Sequence, residues 1–187
     1  MPLQLLISPR AQGAYFSQTR EVCLAELACL FPELELRAHT FGPLDLIEVA
    51  ATEDLAPKLV QLSWVQAIFE GTLPELRCLE ASPHFDLPEA LVWGHKYRGK
   101  TSEVVTQLAI NVAIKHAQVT HRSSPSLIDP MAGRGTTILW GARYGIDSLG
   151  IELDPQAIMH FERDVKRQTK LHKIKHKTQH GGPKKSK

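Results

Sequence analysis

Residues 127–154 read LIDPMAGRGTTILWGARYGIDSLGIELD, and the fold turns on the nine residues DPMAGRGTT at 129–137. Leu127 and Ile128 form the end of a short apolar run, SLIDP, which reads as a buried strand. Gly133 and Gly135 then call for a backbone that takes a positive φ or accepts close approach by another group. A helix follows through about Tyr144, and SLGIEL (148–153) reads as a second strand. DPQAIMHFERDVKRQTK opens another helix, with Asp154 as its cap and Pro155 at its first position. A β-loop-α-β succession with buried parallel strands is the first part of a doubly wound α/β sheet. A strand that enters a helix through a glycine loop is the usual cradle for a nucleotide-like ligand.

Three cradles compete for that loop. A phosphate-binding loop requires GxxxxGK[ST], and no such lysine follows Gly135. A dinucleotide fingerprint requires GxGxxG, but position 138 is Ile, so the third glycine is missing. The remaining pattern, DPxxGxGT with an acid at the tip of the next strand, suits S-adenosylmethionine. Asp129 can meet the ammonium of the amino-acid end, and Gly133 and Gly135 admit the sulfonium and ribose. Glu152, 23 residues after Asp129 in LGIELDP, stands where an acceptor for two ribose hydroxyls is needed. The expected contact set runs through Asp129, Pro130, Met131, Ala132, Gly133, Gly135 and Thr136, with Glu152 and Leu153 from the second strand.

Upstream, Thr101 or Ser102 can cap a helix whose apolar face is Val104, Val105, Leu108, Ala109, Val112 and Ala113. Residues 72–90, TLPELRCLEASPHFDLPEA, carry three prolines and no period, and read as linker. The first 75 residues alternate: strand 3–8, helix 17–31 after a Ser17 or Thr19 cap, a hairpin of 34–41 and 44–51 about Gly42-Pro43, helix 54–63, strand 64–71. That βαββαβ order is the ferredoxin-like split βαβ unit. The expected organisation is a ferredoxin-like α+β domain at 1–75, a linker at 76–94, a partial Rossmann-like core at 95–165 and a basic tail at 166–187.

Composition narrows the class further. Apolar residues make up 43% and charged residues 22% of 187, as in ordinary globular chains. No run approaches the roughly 20 apolar residues of a bilayer span, and MPLQLLISPR, without a basic n-region or a long apolar core, is not expected to act as a signal peptide. Cys23, Cys29 and Cys78 form no CxxC and are expected as free thiols in a reducing cytoplasm. Residues 1–162 hold 12 Lys/Arg against 19 Asp/Glu, a balance of −7, whereas 163–187 hold 10 against one, a balance of +9. Lys166, Arg167, Lys170, Lys173, Lys175 and Lys177 can neutralise phosphates and give sequence-independent affinity for RNA, although a solvated basic end explains them too. His172, His176 and His180 lie four apart, but their lysine neighbours repel a cation and no acid assists, so no metal site is expected.

DPMAGRGTT followed by GIELDP resembles motifs I and II of class I S-adenosylmethionine-dependent methyltransferases. YRGKTSEVVTQLAINVAI looks like the preceding helix in the RNA methylase branch that includes the tRNA guanine-N2 methyltransferases. The resemblance covers about residues 95–160. It implies a methyl transferase acting on tRNA or rRNA, with Thr101 and Ser102 beside the methionine carboxylate. Such an enzyme needs a sheet of about seven strands and an acceptor motif [DN]PP[FYW]. This sequence supplies two strands and contains no Pro-Pro pair. The expectation is therefore a cofactor-binding part completed by a missing C-terminal segment or a second chain, with no catalytic residue assigned. The rival expectation is a non-catalytic RNA-binding scaffold that keeps this core.

Overall fold

The computed structural model describes residues 1–93, 97, 99–117 and 125–177. The chain is mixed α and β, with a five-stranded antiparallel sheet and a two-stranded parallel one. Strand β1 (Leu3–Ile7) carries Leu3, Leu5 and Ile7 into the core at 0%, 0% and 4% exposure, and it lies central in its sheet. It pairs with β3 (Leu44–Val49) on one side and β4 (Val65–Thr72) on the other, both antiparallel. β2 (Leu36–Phe41) closes one edge and β5 (Glu75–Cys78) the other, giving the order β2-β3-β1-β4-β5.

Helix α1 (Pro9–Tyr15) was not expected from periodicity. Ser8 caps it by accepting the Ala11 amide, and Pro9 occupies its first turn. Helix α2 (Thr19–Leu30) then packs Cys23 and Leu27 beneath the sheet, entering from Gln18 without a side-chain cap rather than from Ser17 or Thr19. The helix expected over 54–63 shrinks to a 3₁₀ turn and the single turn α3 (Ala56–Leu59), because Leu62 and Trp64 are drawn into the core as the chain enters β4.

Two expected boundaries move. β5 lies inside the stretch read as linker, since the four residues from Glu75 to Cys78 fold back onto the end of β4. The rest of that stretch is also built into the molecule. Leu79 joins the main core, and Phe85 and Val92 join a second cluster with Ile110 and Trp140. At the other end, α6 (Pro155–Leu171) runs through Lys166, Arg167 and Lys170, so the basic tail begins as the last turns of a helix.

Helix α4 (Glu103–His116) packs against α1 and α2, and its buried face differs from the apolar stripe. Val104, Gln107, Ile110 and Asn111 are inside, whereas Val105 is 37% exposed. The physical reason is a buried polar network that outweighs a turn of apolar periodicity. Asn111 donates to the Glu26 carboxylate at 2.7 Å and to the Gln61 carbonyl at 3.1 Å, and Gln107 donates to that same carbonyl at 2.9 Å. Glu26 is 2% exposed and also accepts from the Ser63 amide and hydroxyl. Burial pushes its carboxyl above the ordinary range, and the Ser63 and Asn111 hydrogen bonds only partly offset that. The network ties α2 and the entrance of β4 to α4, and through Tyr144, whose hydroxyl donates to Asn111 at 2.5 Å, to α5 (Thr136–Arg143).

Candidate cofactor cleft

β6 (Ser126–Asp129) and β7 (Asp147–Gly150) pair in parallel, with Asp129 opposite Gly150. Two further backbone hydrogen bonds extend the ladder into the loops. The Ile151 amide donates to the Asp129 carbonyl at 2.8 Å, and the Ala132 amide donates to the Ile151 carbonyl at 3.0 Å. This register carries Glu152 directly against the glycine loop. One carboxylate oxygen accepts the Gly133 amide at 2.7 Å and the other accepts the Asp154 amide at 2.8 Å. The Asp154 and Gly133 amides hold the Glu152 carboxyl below the usual carboxylate range, so it is an acceptor-only group at neutral pH.

Both loop glycines are left-handed, Gly133 at φ +52° and Gly135 at +74°. Their surroundings separate them. A Cβ on Gly133 would enter open space, whereas one on Gly135 would fall 2.5 Å from the Phe161 ring of α6. Gly133 is thus free toward a ligand, and Gly135 serves the docking of α6. The ligand clearance expected at both glycines is confined to Gly133, because the Phe161 side chain that covers Gly135 comes from 26 residues away.

A cleft of ≈ 700 Å³ opens between this loop, β7 and α6, with Gly133, Ile151, Glu152, Ile158 and Phe161 among its lining. Ala132 and Gly135 share its wall. The other expected contacts are distributed elsewhere. Asp129 and Pro130 line a groove along β6 and α4, and Asp129 turns one oxygen back to the Met131 amide at 3.0 Å. Met131 and Leu153 are 85% and 93% exposed. Thr136, at the start of α5, lies 3.4 Å from the Tyr97 hydroxyl, and the Arg134 guanidinium sits 4.4 Å over the Tyr97 ring. Thr101 precedes α4 and Ser102 caps it through its carbonyl, which accepts the Thr106 amide; neither lines the cleft.

Phe161 and Ile158 line the cleft although no pattern in the sequence marks them. After Leu171 the chain reverses at Lys173, which is left-handed at φ +55°, with the Ile174 amide donating to the Thr169 carbonyl at 2.8 Å. That turn returns His176 and Lys177 to the cleft rim. Because α6 ends at Leu171, His172 and His176 do not share a helical face, and His180 lies outside the described residues. Lys166, Arg167, Lys170, Lys173 and Lys175 are exposed. Among the described residues no helix is long and apolar enough to cross a membrane, and no cluster of three or more acid, His or Cys side chains is arranged to hold a metal.

No protein-family model and no curated protein sequence matches this chain.

Proposed function

We propose that the chain binds S-adenosylmethionine at the ends of β6 and β7 and is the cofactor-holding part of an RNA methyltransferase. The observation that carries this reading is the ionised Glu152 carboxylate seated against the Gly133 amide at the tips of two adjacent parallel strands. Each carboxylate oxygen keeps a lone pair beyond its one amide, which suits it to the two hydroxyls of a ribose. Asp129 keeps one oxygen beyond its bond to Met131, but it lines the neighbouring groove along β6 and α4 and not this cleft, so Glu152 carries the reading without it. S-Adenosylmethionine would supply an electrophilic methyl group; the residues named here bind and orient, and none is assigned to the transfer step.

The finer fold assignments belong to the same proposal. The order β4-β1-β3-β2, with α2 and α3 in the crossovers, supports a ferredoxin-like unit extended by β5. The β6–α5–β7 unit is then the opening of a Rossmann-like methyltransferase sheet. Ile128 and Leu149 on that sheet are 64% and 58% exposed, whereas parallel sheets are covered on both faces. A second chain or a further segment completing the sheet would cover them. Free cysteines suit a reducing cytoplasm.

One observation favours a second reading, a non-catalytic RNA-binding scaffold: Lys166, Arg167, Lys170, Lys173 and Lys175 are all exposed and free of an acid-rich surround in sequence, as a phosphate-binding stretch requires. Calorimetry with S-adenosylmethionine, S-adenosylhomocysteine, NAD and ATP tests the cofactor, and tight NAD binding without a response to S-adenosylhomocysteine refutes it. Methyl transfer from labelled S-adenosylmethionine to bulk tRNA or rRNA then separates enzyme from scaffold.

A further inference from the structure

A second cleft, of ≈ 420 Å³, lies where the antiparallel sheet meets α4 and α5, on no surface used above. Its walls are apolar at Val65, Phe85, Trp93 and Val104 and polar at Gln107 and Arg143. Arg143 is the unusual member. It is only 7% exposed, and no carboxylate lies within ion-pair distance of it among the described residues, in which six other ion pairs occur.

The guanidinium is held firmly but incompletely satisfied. One terminal nitrogen donates to the Leu87 carbonyl at 2.5 Å, and the guanidinium carbon sits 4.0 Å from the Phe85 ring centroid, yet Nε–H has no partner among the described residues. Beside it Trp140, 2% exposed, lines the same cleft and leaves its Nε1–H unpartnered. Glu89 is the acid of the cleft wall, and it is engaged by Arg10 at the rim, where Arg10 also lies 4.2 Å over the Trp93 ring. With two arginines against one glutamate, the cleft keeps one positive charge in excess.

A buried guanidinium without an acid is costly unless something else supplies the acceptors. Two orphan donors on adjacent turns of one helix end specify what that would be. We propose that this cleft binds a small organic anion, a carboxylate or phosphate group on an apolar body, with Arg143 and Trp140 as its recognition residues. Aromatic and aliphatic walls supply surface for the body, and the volume is that of a small-molecule site. The inference is independent of the cofactor reading, since the two clefts share no lining residue.

The test uses the full chain, ¹⁵N-labelled, titrated with benzoate, phenyl phosphate and the neutral isostere benzamide at constant ionic strength. The Trp140 indole Nε1–H and Arg143 Nε–H resonances are expected to shift saturably with benzoate or phenyl phosphate, whichever headgroup fits. Benzamide should bind at least roughly 10-fold more weakly, because hydrogen bonds to a charged group are the stronger ones. Arg143→Gln should abolish saturation. If that variant fails to fold, Trp140→Phe, which keeps the ring and removes the donor, should weaken binding several-fold with the remaining resonances unmoved. Shifts that stay linear throughout, equal shifts from benzamide, or unchanged benzoate affinity in folded Arg143→Gln or Trp140→Phe would show a cleft that holds water alone and overturn the proposal.

Discussion

Replacing the two loop glycines one at a time should separate ligand clearance from helix docking. Both are left-handed, so an alanine at either position carries the same backbone penalty of about 1–2 kcal/mol. At Gly133 that is the whole cost, because the new Cβ meets nothing within 4 Å. At Gly135 the Cβ would sit 2.5 Å from two carbons of the Phe161 ring, and overpacking of that kind adds about 1–3 kcal/mol. Gly135→Ala should therefore lower the melting temperature further than Gly133→Ala, by about 4–8 °C for a difference of about 2 kcal/mol in a chain of this size. Urea unfolding of Gly135→Ala, Phe161→Leu and the double variant closes a cycle in which the smaller side chain recovers part of the loss. Ligand binding should order the other way. Folded Gly133→Ala should lose S-adenosylhomocysteine affinity, since its methyl enters the cleft. Equal losses of stability at the two positions, or strict additivity with Phe161→Leu, would refute the assignment of Gly135 to α6.

Three further expectations follow from the same geometry. Glu152→Ala should weaken S-adenosylhomocysteine binding roughly 10- to 100-fold by calorimetry, by loss of charge-assisted hydrogen bonds; an unchanged affinity in a variant folded by circular dichroism removes Glu152 from the site. Glu26 has its carboxyl raised by burial, so its stabilising contribution is complete below the ordinary glutamate range and is lost as pH rises through the raised value. Glu26→Gln should flatten that decline in melting temperature between mildly acidic and alkaline buffer, and an unaltered slope would show that Glu26 does not titrate across folding. Lys173→Glu, Lys175→Glu and Lys177→Glu together should weaken tRNA binding in filter assays and lower the logarithmic salt slope by roughly 2, three phosphate contacts at about 0.7 each for single strands. Retained affinity and slope would make the tail a solvated end.

Local chemistry made much of the loop legible. Pro155 with Asp154, which accepts the Gln156 amide at 2.9 Å, starts α6 where the residues say it should, because capping depends only on near neighbours. Gly133 and Gly135 declared their left-handed backbone for the same reason, and parallel β6 and β7 followed from apolar runs on either side of a helix. The sequence put Glu152 within a strand at 148–153, whereas β7 ends at Gly150 and Glu152 lies two residues beyond it. What that acid touches was another matter: the register of Asp129 with Gly150 brings it to the Gly133 amide, and register is a property of the pair of strands. The face of α4 was misjudged because Glu26, 85 residues before Asn111, draws the polar residues of that helix inward, and no periodicity within α4 encodes a partner on α2. Phe161 over Gly135 and the unpaired Arg143 belong to the same class. Each depends on which helix packs where, which only tertiary contact decides, since the free energy of a buried group is set by neighbours distant along the chain.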